Sequence, residues 1–467
     1  MNRYRVESDV LGKVRVDRDA YYGPETQRAI NNFGISGVRV PMEIFVSYAI
    51  LKKAAAAANL KVGRLDSRRS SAISRACNFV IRRELDENFP IDIFQAGAGT
   101  CINMNVNEVI ANKAIEILGG KRGDYALVNP NDHVNMSQST NDTMPSALHI
   151  AVYSEIGTGL LPSLKALESE LQKKTSEFRN ITKLGRTHLQ DAVPMTLGQE
   201  FSGYRWAVTN SIDMISVARK RLLKLPLGGT AVGNSVNAGS EFSKHFISGI
   251  RKMTGADFRI ADNRFVLMQQ RLEELAVSDS LKETATAIGK IANDLRLLNS
   301  GPRGGLGEIS LPEIMPGSSI MPGKINPSIP EMVGMVCQRV IGSCASVTES
   351  ANAGQLEINV FTPVIAYELM FSIKSLSNCA DTFAKRCIAG ITPNKEAIRK
   401  KLEMDLSIAT SLNPYIGYAK ASRIARQAYK EGKSIKQVCI ELGILDRKTL
   451  ERILDPELVA NGAEERH

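Results

Sequence analysis

Apolar residues recur at spacings of three and four through the middle of the chain, the period of an α-helix. Between Phe265 and Leu298 they fall at Leu272, Leu275, Leu281, Ile288, Ile291, Leu295 and Leu298. If unbroken, that pattern predicts one helix about 50 Å long at the usual rise per residue. A second helix is predicted beyond Pro162, with Leu164, Leu167, Leu171 and Phe178 on one face. Others are expected from Glu331 toward Glu349, from Val364 to Ile388, and between Met195 and Leu225, where Trp206 stands. No proline interrupts the stretch between Pro226 and Pro302. With almost no strand-type alternation, the prediction is an all-α fold: a long central helix bundle over 139–392, flanked by a mixed, mostly helical region 1–138 and a small helical region 393–467. Helices this long cannot bury all their apolar surface within one subunit, so a homo-oligomer is expected.

Composition narrows the function classes. The chain has 467 residues, of which 43% are hydrophobic and 23% charged, values that exclude wholesale disorder. No apolar run reaches the ~18 residues of a membrane-spanning helix, and the polar start Met1-Asn2-Arg3-Tyr4-Arg5 carries no signal-peptide pattern. A cytoplasmic protein with no membrane partner is expected. Seven cysteines are scattered without metal-type spacing, which predicts small buried apolar residues and not disulfides or a metal knuckle. The net charge is +10; 12 basic against 6 acidic residues between Lys395 and Lys448 supply +6 of it. These charges are dispersed with few aromatics among them, so a solvated face is expected and no nucleic-acid partner. A positive chain also attracts small dianions.

Four polar segments at the ends of helical patterns carry candidate chemistry. In Gln95–Asn105, Gly97-Ala98-Gly99 permits close backbone approach and Thr100 and Asn103 offer neutral donors. In Asn129–Asp142, Ser139, Thr140 and Asn141 precede a helix predicted near Met144, a combination suited to a carboxylate, although such residues cap helices everywhere. Gly185–Pro194 places Thr187 and His188 in a polar stretch between two helices. Gly317–Pro327 joins Ser318, Ser319, Lys324 and Asn326 in a glycine-bounded loop with almost no apolar anchor. A serine becomes a base only with cationic charge or oriented N–H groups beside it.

The loop Gly317-Ser318-Ser319-Ile320-Met321-Pro322-Gly323-Lys324-Ile325-Asn326-Pro327 resembles the G-S-S-x-M-P-x-K-x-N-P signature of the fumarase/aspartase superfamily. The other three segments match that family's further site-forming regions in order, and the resemblance runs from about Arg5 to the C-terminal region. It implies a homotetramer whose bundles merge and whose active sites each draw on three subunits. It implies that Ser318 is the general base acting on a small dicarboxylate, with Thr187, Lys324 and Asn326 holding the carboxylate on the carbon that bears the leaving group. Thr100, Ser139, Thr140 and Ser319 would bind the carboxylate that becomes an aci-carboxylate dianion. Asn141 and His188 would sit near the leaving group, with Glu331 the acidic partner of His188. No metal or organic cofactor is implied.

Within the family, Ala98, Thr140 and Asn129 resemble the aspartases, as do Tyr21-Tyr22-Gly23, Gly354-Gln355 and Pro330–Val333. Thr26-Gln27-Arg28, Leu227–Thr230 and Asn263-Arg264-Phe265 look more like the fumarases, and Gly233-Asn234-Ser235-Val236-Asn237 departs from both. Positions that would touch substrate outweigh scaffold positions, so loss of ammonia from L-aspartate to give fumarate is the expectation, with hydration of fumarate to L-malate the alternative. The intact set of site residues argues against a non-catalytic scaffold.

Overall fold

Caps and breakers set the element boundaries. A computed structural model describes residues 3–462. The hairpin of β1 (Tyr4–Asp9) and β2 (Gly12–Asp17) leads into α1 (Pro24–Asn32), α2 (Met42–Lys61), α3 (Ser67–Ile81), α4 (Thr100–Ile117) and α5 (Thr140–Glu155). There follow α6 (Leu161–Glu177), a second hairpin of β3 (Thr182–Thr187) and β4 (Gln190–Thr196), and α7 (Leu197–Arg221). Next come α8 (Ser240–Thr254), α9 (Arg264–Gln269), α10 (Leu272–Leu298), α11 (Ser328–Asn352) and α12 (Thr362–Arg386). Six shorter helices complete the described chain, from Lys395–Glu403 to Pro456–Ala460. Four two-stranded sheets and two isolated β-bridges are the only β-structure among the described residues, so the all-α expectation holds.

The predicted helix from Phe265 to Leu298 is not continuous. It breaks at Gln270-Arg271, where Arg271, 1% exposed, turns back to donate from Nη1 to the Leu267 carbonyl at 2.7 Å and from Nη2 to that of Met268 at 3.2 Å. Those bonds satisfy carbonyls that a helix end leaves without partners. The helix expected near Met144 begins earlier, at Thr140, capped by Ser139.

Internal packing divides the chain into two compact units. The first comprises Met1–Leu161, Asp213–Glu283 and Arg339–Leu376. Its hub is α2, whose alanine-rich sequence favours helix and lets neighbours approach closely. It packs on α3, α5 and α8, and a Cβ on Gly249 of α8 would stand 3.1 Å from that of Ala54. The second unit comprises Pro162–Ile212, Thr284–Gln338 and Ser377–His467. There the short C-terminal helices pack on β3 and β4, and Gln199 donates to the Ala460 carbonyl at 2.9 Å. Phe178 meets Phe201 edge-on at 5.1 Å in the same unit. All seven cysteines are free thiols, and six are buried, as small apolar residues would be. No helix among the described residues is long and apolar enough to cross a membrane.

Candidate active site

Thr100, Ser139, Thr140 and Asn141 lie in the first unit; Thr187, His188, Ser318, Ser319, Lys324, Asn326 and Glu331 lie in the second.

In the first unit two helix starts carry the candidates. Thr100 is the first residue of α4, after Ala98 and Gly99 at φ of +57° and +80°. A Cβ on Gly97 would come within 2.7 Å of the Val360 side chain, and one on Gly99 within 2.8 Å of Met144, so both glycines are sterically required. Ser139 caps α5 in a capping box. Its hydroxyl accepts from Asn141 N at 3.2 Å, and Asp142 Oδ1 accepts from Ser139 N at 3.0 Å. Capping does not exhaust Ser139, whose hydroxyl proton is left to donate. Asn141 Nδ2 donates to the Ala231 carbonyl at 2.7 Å, which ties α5 to the Gly228–Gly239 loop.

Behind these starts stands a buried group that the sequence reading missed. Lys52 of α2, wholly buried, donates to the side-chain oxygens of Asn103 and Asn135, each at 2.8 Å. Asp142, also wholly buried, accepts from Thr230 N at 3.1 Å as well as from Ser139. Burial pushes the Lys52 ammonium down to about 7 despite the charge of Asp142. Burial also pushes the Asp142 carboxyl up to about 7, against its backbone hydrogen bonds and the Lys52 charge. The capping-box position was the one signal in the sequence for Asp142.

In the second unit Thr187 and His188 stand on a β-hairpin, where the sequence suggested only an irregular polar stretch. Thr187 pairs with Gln190 across a two-residue turn of His188 and Leu189, both with positive φ, and His188 is exposed at its tip. The hairpin is anchored from below by buried charge. Lys183 lies 2.8 Å from Glu200 and 3.0 Å from Glu308, and Arg186 donates to Glu308 at 2.5 Å. Burial alone would raise the Glu308 carboxyl, but its bond to Arg186 and the charge of Lys183 hold it below the usual range.

The signature loop closes on itself. Gly317 N donates to the Lys324 carbonyl at 2.9 Å and Asn326 Nδ2 to the Gly317 carbonyl at 2.7 Å. A Cβ on Gly317 would lie 2.4 Å from the Lys324 carbonyl, so only glycine fits this closure. Within the loop Ser318 Oγ accepts from Met321 N at 2.9 Å and Ile320 N at 3.2 Å, and Lys324 Nζ donates to Asn326 Oδ1 at 2.6 Å. Ser319 is exposed, as are Ile320 and Met321 at the loop's tip. Glu331 is half-buried in the first turn of α11. Among the described residues no hydrogen bond or ion pair within one chain joins it to His188.

Residues 12–342 match the lyase family, and residues 408–461 match the fumarase C C-terminus. The chain belongs to the fumarase/aspartase superfamily. It is 45% identical over 455 residues to the class II fumarate hydratase of Thermosynechococcus vestitus, 97% of each chain. It is 44% identical over 452 residues to an aspartate ammonia-lyase of Bacillus sp., spanning 97% of this chain and 96% of that one. The crystal structure of a class II fumarase from Schistosoma mansoni superposes with a TM-score of 0.96 at 37% identity, covering 98% of this chain and 99% of that one. The fold is thus the all-α fold of this superfamily, and the chain is a lyase of it.

Proposed function

We propose that the protein interconverts L-malate and fumarate, with Ser318 as the base. The observation that carries this reading is the pair of backbone N–H groups directed at Ser318 Oγ, in a loop that also holds Lys324 and Asn326. Two N–H dipoles favour an alkoxide over a hydroxyl, and so lower the cost of making serine a base. Ser318 removes the proton from the carbon beside one carboxylate. The electron pair passes into that carboxylate as an aci-carboxylate dianion, held by Thr100, Ser139, Thr140 and Ser319. Preorganised donors aimed at that charge remove most of the barrier for so weak a carbon acid. The pair then returns to form the double bond as the carbon–oxygen bond breaks. Thr187, Lys324 and Asn326 hold the second carboxylate, and Asn141 and His188, paired with Glu331, attend the departing hydroxide, which leaves as water once protonated.

The two sets of residues come together in a homotetramer with shared sites, a small dicarboxylate being the substrate. Hydration comes before deamination because most relatives at this identity are fumarate hydratases. Deamination of L-aspartate is the second reading, favoured by Thr140 and by Ala98 beside Thr100. Ammonia leaves without a proton donor, whereas hydroxide needs one. Fumarate absorbance followed with L-malate, and separately with L-aspartate, decides. Formation from malate is expected; formation from aspartate alone establishes the second reading, and formation from neither overturns both.

A further inference from the structure

Lys52 has no part in the chemistry above, yet it is among the most deeply buried cations of the first unit. Among the described residues it makes no ion pair. Its hydrogen bonds go to the amide oxygens of Asn103 and Asn135, and Asn103 Nδ2 also reaches Asn135 Oδ1 at 3.3 Å. Asn103 lies one turn beyond Thr100 on α4. Asn135 Nδ2 in turn meets, at 3.4 Å, the carbonyl of Gln138, which immediately precedes the Ser139 cap. The ammonium thus orients two amides, oxygen inward, and ties them to both helix starts that carry the candidate carboxylate donors. All of those donors are neutral, while the ligand assigned to them gains negative charge during the reaction. Asp142 faces this ammonium without a hydrogen bond or ion pair to it, so the cost of burying the charge is only partly offset.

We propose that Lys52 is the positioning residue of this carboxylate nest: through Asn103 and Asn135 it locks the starts of α4 and α5 together and sets a positive field for the substrate carboxylate that takes up charge. The inference rests on the dicarboxylate-lyase reading and deepens it. The groups that face Lys52 are Tyr48 on its own helix, the Cys77 thiol of α3, which burial pushes up to about 12, and Asp142 of α5. From α4 comes the Asn103 amide, while α8 turns Phe242, Phe246 and Ile250 inward and keeps its Glu241, Lys244, His245, Arg251 and Lys252 exposed or half-exposed. Since burial pushes the Lys52 ammonium down and the Asp142 carboxyl up to about 7, anion binding takes up a proton within this pair, and by linkage dicarboxylate affinity falls as the pH rises through that range.

The test uses succinate, a dicarboxylate with no leaving group, titrated calorimetrically into the full-length protein at about pH 6.5 and 8.5. Wild type is expected to bind about tenfold more tightly at the lower pH, one decade per proton and pH unit at most. Lys52→Met is expected to bind at least about tenfold more weakly at the lower pH and to show a shallower pH slope, the remainder belonging to Asp142. Asn135→Asp, which places a carboxylate on the ammonium and keeps the buried charge paired, is expected to fold as wild type, bind more weakly and also show a shallower slope. Wild-type affinity and slope retained in either folded variant overturn the role of Lys52 and leave the lyase reading intact. A wild-type protein that binds no dicarboxylate overturns both.

Discussion

His188 and Leu189 stand side by side at φ of +56° and +58°, in the two-residue turn that joins β3 to β4. Such turns ordinarily use Asn-Gly, because residues with a Cβ are strained in the left-handed region by about 1–2 kcal/mol each. The strained turn holds the imidazole at the exposed tip of a paired hairpin, where the proposed role of His188 would need it. Leu189, 71% exposed, makes no compensating core contact. Leu189→Gly is therefore expected to stabilise the protein by about 0.5–1 kcal/mol, the relief exceeding the extra unfolded-state entropy. A rise in the denaturation midpoint checks this; a fall counts against the strain.

Glu308 bridges Lys183 and Arg186 under the same hairpin. Removing one member of a buried ionic cluster leaves the others uncompensated, at about 3–5 kcal/mol. Glu308→Gln is expected to destabilise by that order and to lower turnover by loosening Thr187 and His188. Denaturant unfolding and kcat measured together check it, and a change under about 1 kcal/mol contradicts the network's role.

His149 and Glu274, both 1% exposed, meet at 3.3 Å in the first unit, and His149 Nδ1 lies 2.9 Å from the Lys224 carbonyl. Burial opposes the charged imidazole, but Glu274 and the carbonyl outweigh it and raise His149 above its ordinary 6.5. A raised folded pKa gives stability that is complete below 6.5 and lost as pH rises through the higher folded value. His149→Gln should remove that loss, leaving a flatter stability profile on the alkaline side. An unchanged profile in unfolding experiments across that range refutes the assignment.

The loop Gly317–Pro327 was legible in the sequence as an ordered polar segment with serines, a lysine and glycines at fixed places, but its closure through Gly317, Lys324 and Asn326 was not. The long helices were legible because Leu164, Leu167 and Leu171 in α6, and Leu281, Ile288 and Leu295 in α10, keep the helical period. The β3–β4 hairpin was hidden for physical reasons. Its inward Lys183 reads as a surface residue, Pro194 argues against a strand, and its turn lacks the glycine that normally announces one. Arg271 misled similarly, since a buried arginine that ends a helix looks like any polar position between apolar ones. Lys52 was invisible in an alanine-rich helix, its partners Asn103 and Asn135 being remote in sequence.

Asn326 both closes the loop, through Gly317, and orients Lys324. Asn326→Ala is expected to raise KM for the dicarboxylate and lower kcat, because it removes the proposed carboxylate contact and the bond to Gly317 that closes the loop around Ser318. Lys324→Ala, which spares that bond, is expected mainly to raise KM. Steady-state kinetics of the two variants separate the effects; an unchanged KM for Lys324→Ala removes its carboxylate contact.

In the proposed reaction, proton abstraction by Ser318 is the step on which the remaining chemistry depends. The most direct test is the rate of fumarate formation from L-malate by Ser318→Ala, alongside its affinity for succinate. The expected result is a loss of turnover of roughly 10²–10⁴-fold with succinate binding and subunit assembly preserved. Turnover within about threefold of wild type, in a variant that still binds succinate, contradicts the assignment of Ser318 as the base.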